Sequence, residues 1–228
     1  QYSKAMDYEN AAKIRDRIND IKYVTQNVKI DRDVDDIIVD ELKKEQREQG
    51  INDLIAELGF PADKLKNHSG FKIECYDISN IQGTNPVGAM TVMVDGVLRP
   101  DLYRRFKIRL KNTPDDFAML QEMLSRRFRH FIADQNREDE KDESFSVLPD
   151  LIIIDGGKGQ LAATYTILKN FKLEDLIPMV GLAKREEEIF KVLWQFNTDD
   201  WPDLALKRFK RVFLPRRSES LFLVQRIR

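Results

Sequence analysis

Four consecutive apolar residues, Leu151-Ile152-Ile153-Ile154, run straight into a carboxylate, Asp155, and then into Gly156-Gly157-Lys158-Gly159. A mostly β-branched run without polar alternation is a strand covered on both faces, which requires a sheet with a layer on each side. The carboxylate that ends it is costly to bury unless it is paired, hydrogen-bonded or bound to a metal. Open α/β sheets place their ligand sites at the carboxyl ends of such strands. Asp155 is therefore the first candidate site residue, and α/β is the first candidate fold class.

The remaining pattern extends this reading. Residues 1–27 read as a helix, with Ala11, Ile14, Ile18 and Ile21 as one apolar stripe. A lone stripe needs another surface to cover it. Residues 28–70 read as a linker with short helices, and its continuity with the first helix is left open. From residue 71 the pattern is orderly: a strand over 71–78, a second over 87–94 and a third over 102–110. Asp95-Gly96 between apolar flanks is a hairpin signal. Thr113 and Pro114 suit the N-cap and first position of a helix that reaches about residue 133. Phe117, Leu120, Leu124, Phe128 and Phe131 would be its buried face. An acidic, mobile loop is expected over 134–147. The buried strand, a helix over 160–171, strands over 178–183 and 188–196, and a final helix from 217 follow. Hairpin-joined strands followed by βαβ units predict a mixed sheet with helices on its faces, the order of a ribonuclease H-like fold.

Composition narrows the class of function. The 228 residues carry a net charge of −1, so there is no global nucleic-acid signature. Charge is instead clustered: residues 207–228 hold eight basic residues and one acid, and 99–111 hold six and one. Local basic surfaces of this kind suit a phosphate backbone. No stretch is long and apolar enough for a membrane span, and no secretory signal opens the chain. The single cysteine, Cys75, excludes an internal disulfide and a multi-cysteine zinc site, and points to a cytoplasmic protein.

Three acids stand out by position. Asp77 lies near the end of the first strand, Asp155 ends the buried strand, and Asp115-Asp116 open the intervening helix. Were the first strand and the buried strand neighbours, Asp77 and Asp155 would lie side by side. Adjacent carboxylates repel unless a cation neutralises them, and oxygen donors suit Mg²⁺ or Mn²⁺. For Asp116 the competing reading is simple capping and dipole compensation. Lys158 is a candidate phosphate contact, although Gly156 to Gln160 lacks the P-loop pattern. Arg216 and Arg217 are candidates to grip phosphates, against the plainer reading of a basic loop before a helix.

These residues resemble the UvrC family of bacterial nucleotide excision repair. The resemblance is carried by Glu74-Cys75-Tyr76-Asp77-Ile78-Ser79-Asn80-Ile81-Gln82-Gly83 and by Tyr103-Arg104-Arg105-Phe106. It continues through Pro114-Asp115-Asp116-Phe117-Ala118-Met119 and is strongest at Leu148-Pro149-Asp150 through Asp155-Gly156-Gly157-Lys158-Gly159-Gln160. It returns at Gly181-Leu182-Ala183-Lys184-Arg185 and Leu214-Pro215-Arg216-Arg217-Ser218. The stretch Asp7-Tyr8-Glu9-Asn10-Ala11-Ala12-Lys13-Ile14-Arg15-Asp16 is similar to the UVR motif, which in the family binds UvrB.

The resemblance implies a bacterial, cytoplasmic DNA endonuclease that cuts damaged double-stranded DNA on the 5′ side of the lesion with Mg²⁺ or Mn²⁺. It implies residues 1–27 as a UvrB-binding helix and 71–228 as a ribonuclease H-like nuclease domain. Asp77 and Asp155 match two family catalytic, metal-binding aspartates. A third falls in the Asp115-Asp116 pair, with Asp116 favoured. Lys158 would join the catalytic set, and Arg104, Arg105, Arg216 and Arg217 would contact DNA. The family also implies a histidine and a helix-hairpin-helix region past Arg228. Neither His68 nor His130 stands in that histidine's place. The alternative expectation is a fragment acting only as a UvrB- or DNA-binding module, without catalysis.

Overall fold

The computed structural model describes residues 39–60, 70–79, 86–109, 115–137, 141–183, 188–192 and 209–228. The helix expected over 1–27 lies outside them, as do 28–38 and 61–69 of the linker. The chain divides into two compact units, Gln1–Gln46 and Arg47–Arg228. In the first, the described residues 39–46 are helical.

The second unit opens with a helix over 47–58, here α1. Then follow β1 (Lys72–Ser79), β2 (Val87–Val94), β3 (Val97–Leu98), β4 (Arg104–Lys107), α2 (Asp116–Gln135) and the short α3 (Glu143–Ser146). The second half holds β5 (Leu151–Ile154), α4 (Lys158–Asn170), β6 (Met179–Ala183), β7 (Glu188–Val192), β8 (Phe209–Val212) and α5 (Glu219–Ile227). The sheet runs in the order β3-β2-β1-β5-β6-β7-β8, with β4 also paired to β2. β1 is parallel to β5 and β5 to β6, and the outer pairings are antiparallel. This is the mixed sheet anticipated from the order of elements. The β2–β3 hairpin turns through Asp95 (φ 49°) and Gly96 (φ 74°), with Val94 opposite Val97. Two left-handed residues in a two-residue loop match the right-handed twist of the strands they join.

Each sheet face is covered by two helices. On one face Tyr76, Met90, Ile152 and Ile154 pack with Leu120, Leu124 and Phe128 of α2 and Leu161 and Leu168 of α4. On the other, Ile73, Cys75, Leu151 and Ile153 pack with Leu54 and Leu58 of α1 and Leu223 and Ile227 of α5. Strand β5 is thus sandwiched, as its unbroken apolar run requires: none of its four residues is more than 1% exposed.

Three local expectations are corrected. Helix α2 starts at Asp116, because the Asp115 side chain accepts from the backbone N–H groups of Phe117 (3.0 Å) and Ala118 (3.3 Å) and so caps it. Phe117 is 47% exposed and Phe131 half-buried, and the buried residues of α2 are Met119, Leu120, Met123, Leu124, Arg127, Phe128 and Asp134. The acidic segment is structured over 143–146, where Phe145 is buried against Phe106. Strand β8 carries no sequence signal of period two, since Lys210 and Arg211 are both exposed and only Val212 is buried.

What holds α3 is a buried charge network that local sequence patterns do not reveal. Glu74 and Arg127 are each 0% exposed and lie 53 positions apart. Arg127 Nη2 donates to Glu74 Oε1 at 2.8 Å, and Lys72 Nζ lies 3.0 Å from the same oxygen. The Tyr76 hydroxyl donates to Glu74 Oε2 at 2.5 Å. The remaining donors hold the chain around α3: Arg127 binds the carbonyls of Phe145 (3.0 Å) and Val147 (2.8 Å), and Lys72 those of Ser144 and Val147 (both 3.1 Å). Burial alone would push the Glu74 carboxyl up, but Arg127 and Lys72 more than offset it and hold the group below its ordinary 4.5. Burial likewise lowers Lys72 against the pull of Glu74.

Arg127→Met takes the guanidinium from Glu74, leaving it Lys72 and Tyr76, and takes the side-chain donor from the Phe145 carbonyl, so urea unfolding should show a loss of about 3 kcal/mol. A loss under about 1 kcal/mol would mean the network is dispensable. The sign with pH follows from the depressed native value of Glu74. Its contribution is complete above 4.5 and is lost as pH falls through the native value. Acid unfolding curves should therefore flatten in Glu74→Gln, and an unchanged curve would assign the acid loss to other carboxylates.

Candidate active site

The register of two strands brings the candidate carboxylates together. In the parallel β1–β5 pair Tyr76 lies opposite Ile154, and Asp155 N–H donates to the Tyr76 carbonyl at 2.9 Å. Asp77 and Asp155 are the next residues on each strand. Adjacent strands are about 4.8 Å apart, and residues in register share a face. Alternation along β1 sends Glu74 and Tyr76 toward α2, and Cys75 and Asp77 to the opposite face. The Cys75 thiol is pushed up to about 12, first by burial and then by the negative charge of Asp155 and Asp77. A thiol so held is a core residue and not a nucleophile.

The pair's own neighbours are a cation and a helix end. Arg228 Nε lies 3.3 Å from Asp155 Oδ1, with the Asp155 side chain only 7% exposed. The Thr91 hydroxyl donates to the Ile227 carbonyl at 2.7 Å, tying the end of α5 to β2. Arg228 is the residue at the pair that sequence reading passed over. The available signal was its spacing, since it stands four residues after Val224 and continues the sheet-facing stripe of α5.

Two helix starts flank the site. The Gln160 side chain folds back to accept from Gly157 N–H at 3.1 Å, closing the first turn of α4. Gly159 in that turn lets α2 approach: a Cβ there would stand 2.9 Å from the Phe117 ring. Asp116 is thereby carried to the α4 start, exposed, while its neighbour Asp115 is committed to the cap. Among the described residues, however, no three Asp, Glu, His or Cys side chains are gathered closely enough to hold a metal ion. The fold brings Asp77 to Asp155 and does not close Asp116 on them. Lys158 opens α4 three residues after Asp155. Its ammonium lies 4.9 Å from the centroid of Phe190, a residue of the α2/α4 core.

The donor chemistry fits Mg²⁺ or Mn²⁺. Two neighbouring carboxylates are hard oxygen donors, and Mg²⁺ is commonly held by one or two carboxylates together with substrate phosphates. Of the basic candidates, Arg104 is occupied by Asp142 (2.8 Å) and by the carbonyls of Asp101 and Tyr103. Arg105 is exposed on β4, paired with β2 opposite Ala89. Arg216 and Arg217 are exposed in the turn before α5, with Arg217 at φ 65° and Ser218 N–H donating to the Pro215 carbonyl at 3.1 Å. Asn80, His68 and the segment 184–187 lie outside the described residues. His130 is exposed and stacks on Phe145 at 4.9 Å, away from the carboxylate pair on its side of the sheet.

Comparison with known proteins agrees with this architecture. The UvrC RNase H endonuclease domain matches residues 63–228, and the UvrB/UvrC motif matches residues 1–24. UvrABC system protein C of Moorella thermoacetica is 43% identical over 69% of this chain and 22% of its own length. That of Renibacterium salmoninarum is 34% identical over 80% of this chain and 27% of its own length. The chain thus spans about a quarter of the length of these relatives. A crystal structure of human ENDOV aligns over 57% of this chain and 50% of its own at 13% identity, with a TM-score of 0.35, too loose a likeness to bear on chemistry. Among the described residues no helix is long and apolar enough to cross a membrane. With its mixed sheet, its two covered faces and a domain match over most of its residues, the chain belongs to the UvrC family and carries that family's RNase H endonuclease domain.

Proposed function

We propose that this chain is the nuclease part of a DNA-repair endonuclease and hydrolyses a phosphodiester on the 5′ side of a lesion. The observation that carries the reading is the pairing of Asp77 with Asp155 on one face at the carboxyl edge of adjacent parallel strands. Asp77 and Asp155 would hold Mg²⁺ or Mn²⁺, with Asp116 as a third acid supplied by the start of α2. Such an ion, when bound, neutralises charge on the scissile phosphate and activates the attacking water.

The protein's own groups then position the strand. The Asp155 backbone is fixed by its bond to Tyr76, and its carboxylate has the Arg228 guanidinium 3.3 Å away as a counter-charge. Arg105, Arg216 and Arg217 project from the surface as phosphate contacts, and Lys158 stands one turn past Asp155 as a further one. Contacts of that kind position a backbone without reading bases, as an enzyme that cuts at arbitrary sequences requires. Arg104 is proposed as a weaker contact, since its guanidinium is engaged with Asp142. Residues 1–27 are proposed to bind UvrB through the UVR motif.

Asp77→Asn or Asp155→Asn should weaken Mn²⁺ binding by more than about 100-fold, beyond the usual effect of losing an outer-shell partner. In the full-length protein the same variants should lose 5′ incision and retain UvrB capture. Wild-type 5′ cutting by either one would overturn the assignment. For the DNA contacts the measurement is the salt dependence of binding to an undamaged duplex. Arg216→Ala and Arg217→Ala should each reduce the slope of log K against log salt by about 0.9. Unchanged slopes would remove both residues from the interface.

A further inference from the structure

The charge that completes the carboxylate pair comes from α5. Arg228 Nε stands 3.3 Å from Asp155 Oδ1, and the Arg228 side chain is 25% exposed where that of Asp155 is 7%. The contact is built into the fold. Leu223, Val224 and Ile227 bury the helix against the sheet, and the Thr91 hydroxyl holds the Ile227 carbonyl at 2.7 Å. The backbone immediately before Arg228 is therefore fixed on the strand next to β1. The buried Cys75 thiol is pushed up by burial and by the charges of Asp155 and Asp77 and eased by that of Arg228.

A guanidinium has donors only and stays charged at every pH the fold survives. It cannot leave Asp155 by losing a proton, only by swinging away, and its partial exposure leaves a path into solvent. Two carboxylates on neighbouring strands repel, and a nearby cation relieves that repulsion. Any divalent cation arriving at Asp155 meets a carboxylate that already has a partner, and meets that partner's positive charge as well.

We propose that Arg228 is the built-in counter-ion of the Asp77–Asp155 pair, positioning the Asp155 carboxylate and competing with a divalent cation for it, so that Arg228 sets the cation concentration at which the site fills. This rests on the reading of the two aspartates as cation ligands. Arg228 is a positioning residue in this role, because it acts on the site through Asp155.

The test is Mn²⁺ binding to the 228-residue chain, followed by the electron paramagnetic resonance signal of free Mn²⁺. Arg228→Gln should bind Mn²⁺ about tenfold more tightly than wild type, the size of a partly screened charge contact near a surface. Arg226→Gln is the control: it removes the same charge from the same helix, but its guanidinium donates to the Gly96 carbonyl at 3.1 Å. It should leave the affinity unchanged. Equal or weaker binding by Arg228→Gln, or equal tightening by Arg226→Gln, would overturn the proposal. Should Arg228→Gln fail to fold by circular dichroism, Arg228→Lys keeps the charge and loses the planar fork. A smaller tightening is then expected, and none would overturn the proposal. Asp155→Asn separates the two readings. If wild type and Asp155→Asn bind Mn²⁺ alike, the aspartates are not the ligands and both readings fail. If Asp155→Asn loses affinity while Arg228→Gln binds as wild type does, the role of Arg228 alone fails.

Discussion

The parallel pairing of β1 with β5 is the constraint on which the rest depends. Its register, Tyr76 opposite Ile154, decides that the first polar residue after each buried run meets the other. A slip of one residue would turn Asp77 or Asp155 to the opposite face and separate them. The register is held at both ends. At the lower end Lys72 N–H donates to Asp150 Oδ2 at 2.7 Å and Asp150 N–H to the Lys72 carbonyl at 2.8 Å. At the upper end Asp155 N–H reaches the Tyr76 carbonyl. Between them four residues buried on both faces leave β5 no alternative alignment that keeps its apolar surface covered.

Strand β1 carries two sorts of charge, sorted by the two-residue period. Glu74 points into the α2 side and is sealed by Arg127, Lys72 and Tyr76. Asp77 points to the α5 side at the open end. The first is a structural charge. Its network spends donors on the carbonyls of Ser144, Phe145 and Val147 and so orders the segment leading into β5. The strand that ends in Asp155 is thus entered from a chain clamped by a residue of β1, which couples the site's two strands twice, through the ladder and through Arg127.

How much of this was legible in the sequence depends on the range of the signal. Asp155 could be read because the run before it is local and unambiguous. The Asp95-Gly96 hairpin was legible for the same reason, since the turn chemistry is contained in two residues. The neighbourhood of Asp77 and Asp155 could be stated only as a condition on strand order, and β1 and β5 do pair. What was not legible were contacts between distant positions. Glu74 and Arg127 each look like ordinary surface charges until the fold joins them across 53 positions. Phe117 fits the helical stripe by spacing, yet it sits in the first turn, where α2 passes the start of α4 and the core has ended. Thr113 and Pro114 carry the usual helix-start signal, yet it is the Asp115 side chain that accepts from Phe117 N–H and caps the helix.

The two charged sites of β1 also show how burial separates a structural cation from an exchangeable one. Arg127 and Glu74 are closed to water, so removing Glu74 leaves Arg127 a buried charge without its carboxylate, and removing Arg127 leaves Glu74 with Lys72 and Tyr76 alone. Arg228 and Asp155 form one ion pair at 3.3 Å in which the carboxylate is 7% exposed and a quarter of the arginine side chain is in solvent. Screening and competition act there, so the contact is weaker and reversible. Alternation places the two kinds on opposite faces of the sheet, where neither disturbs the other. The Asp77–Asp155 pair lies at the carboxyl edge of β1 and β5, and the sealed Glu74–Arg127 pair lies beneath α2.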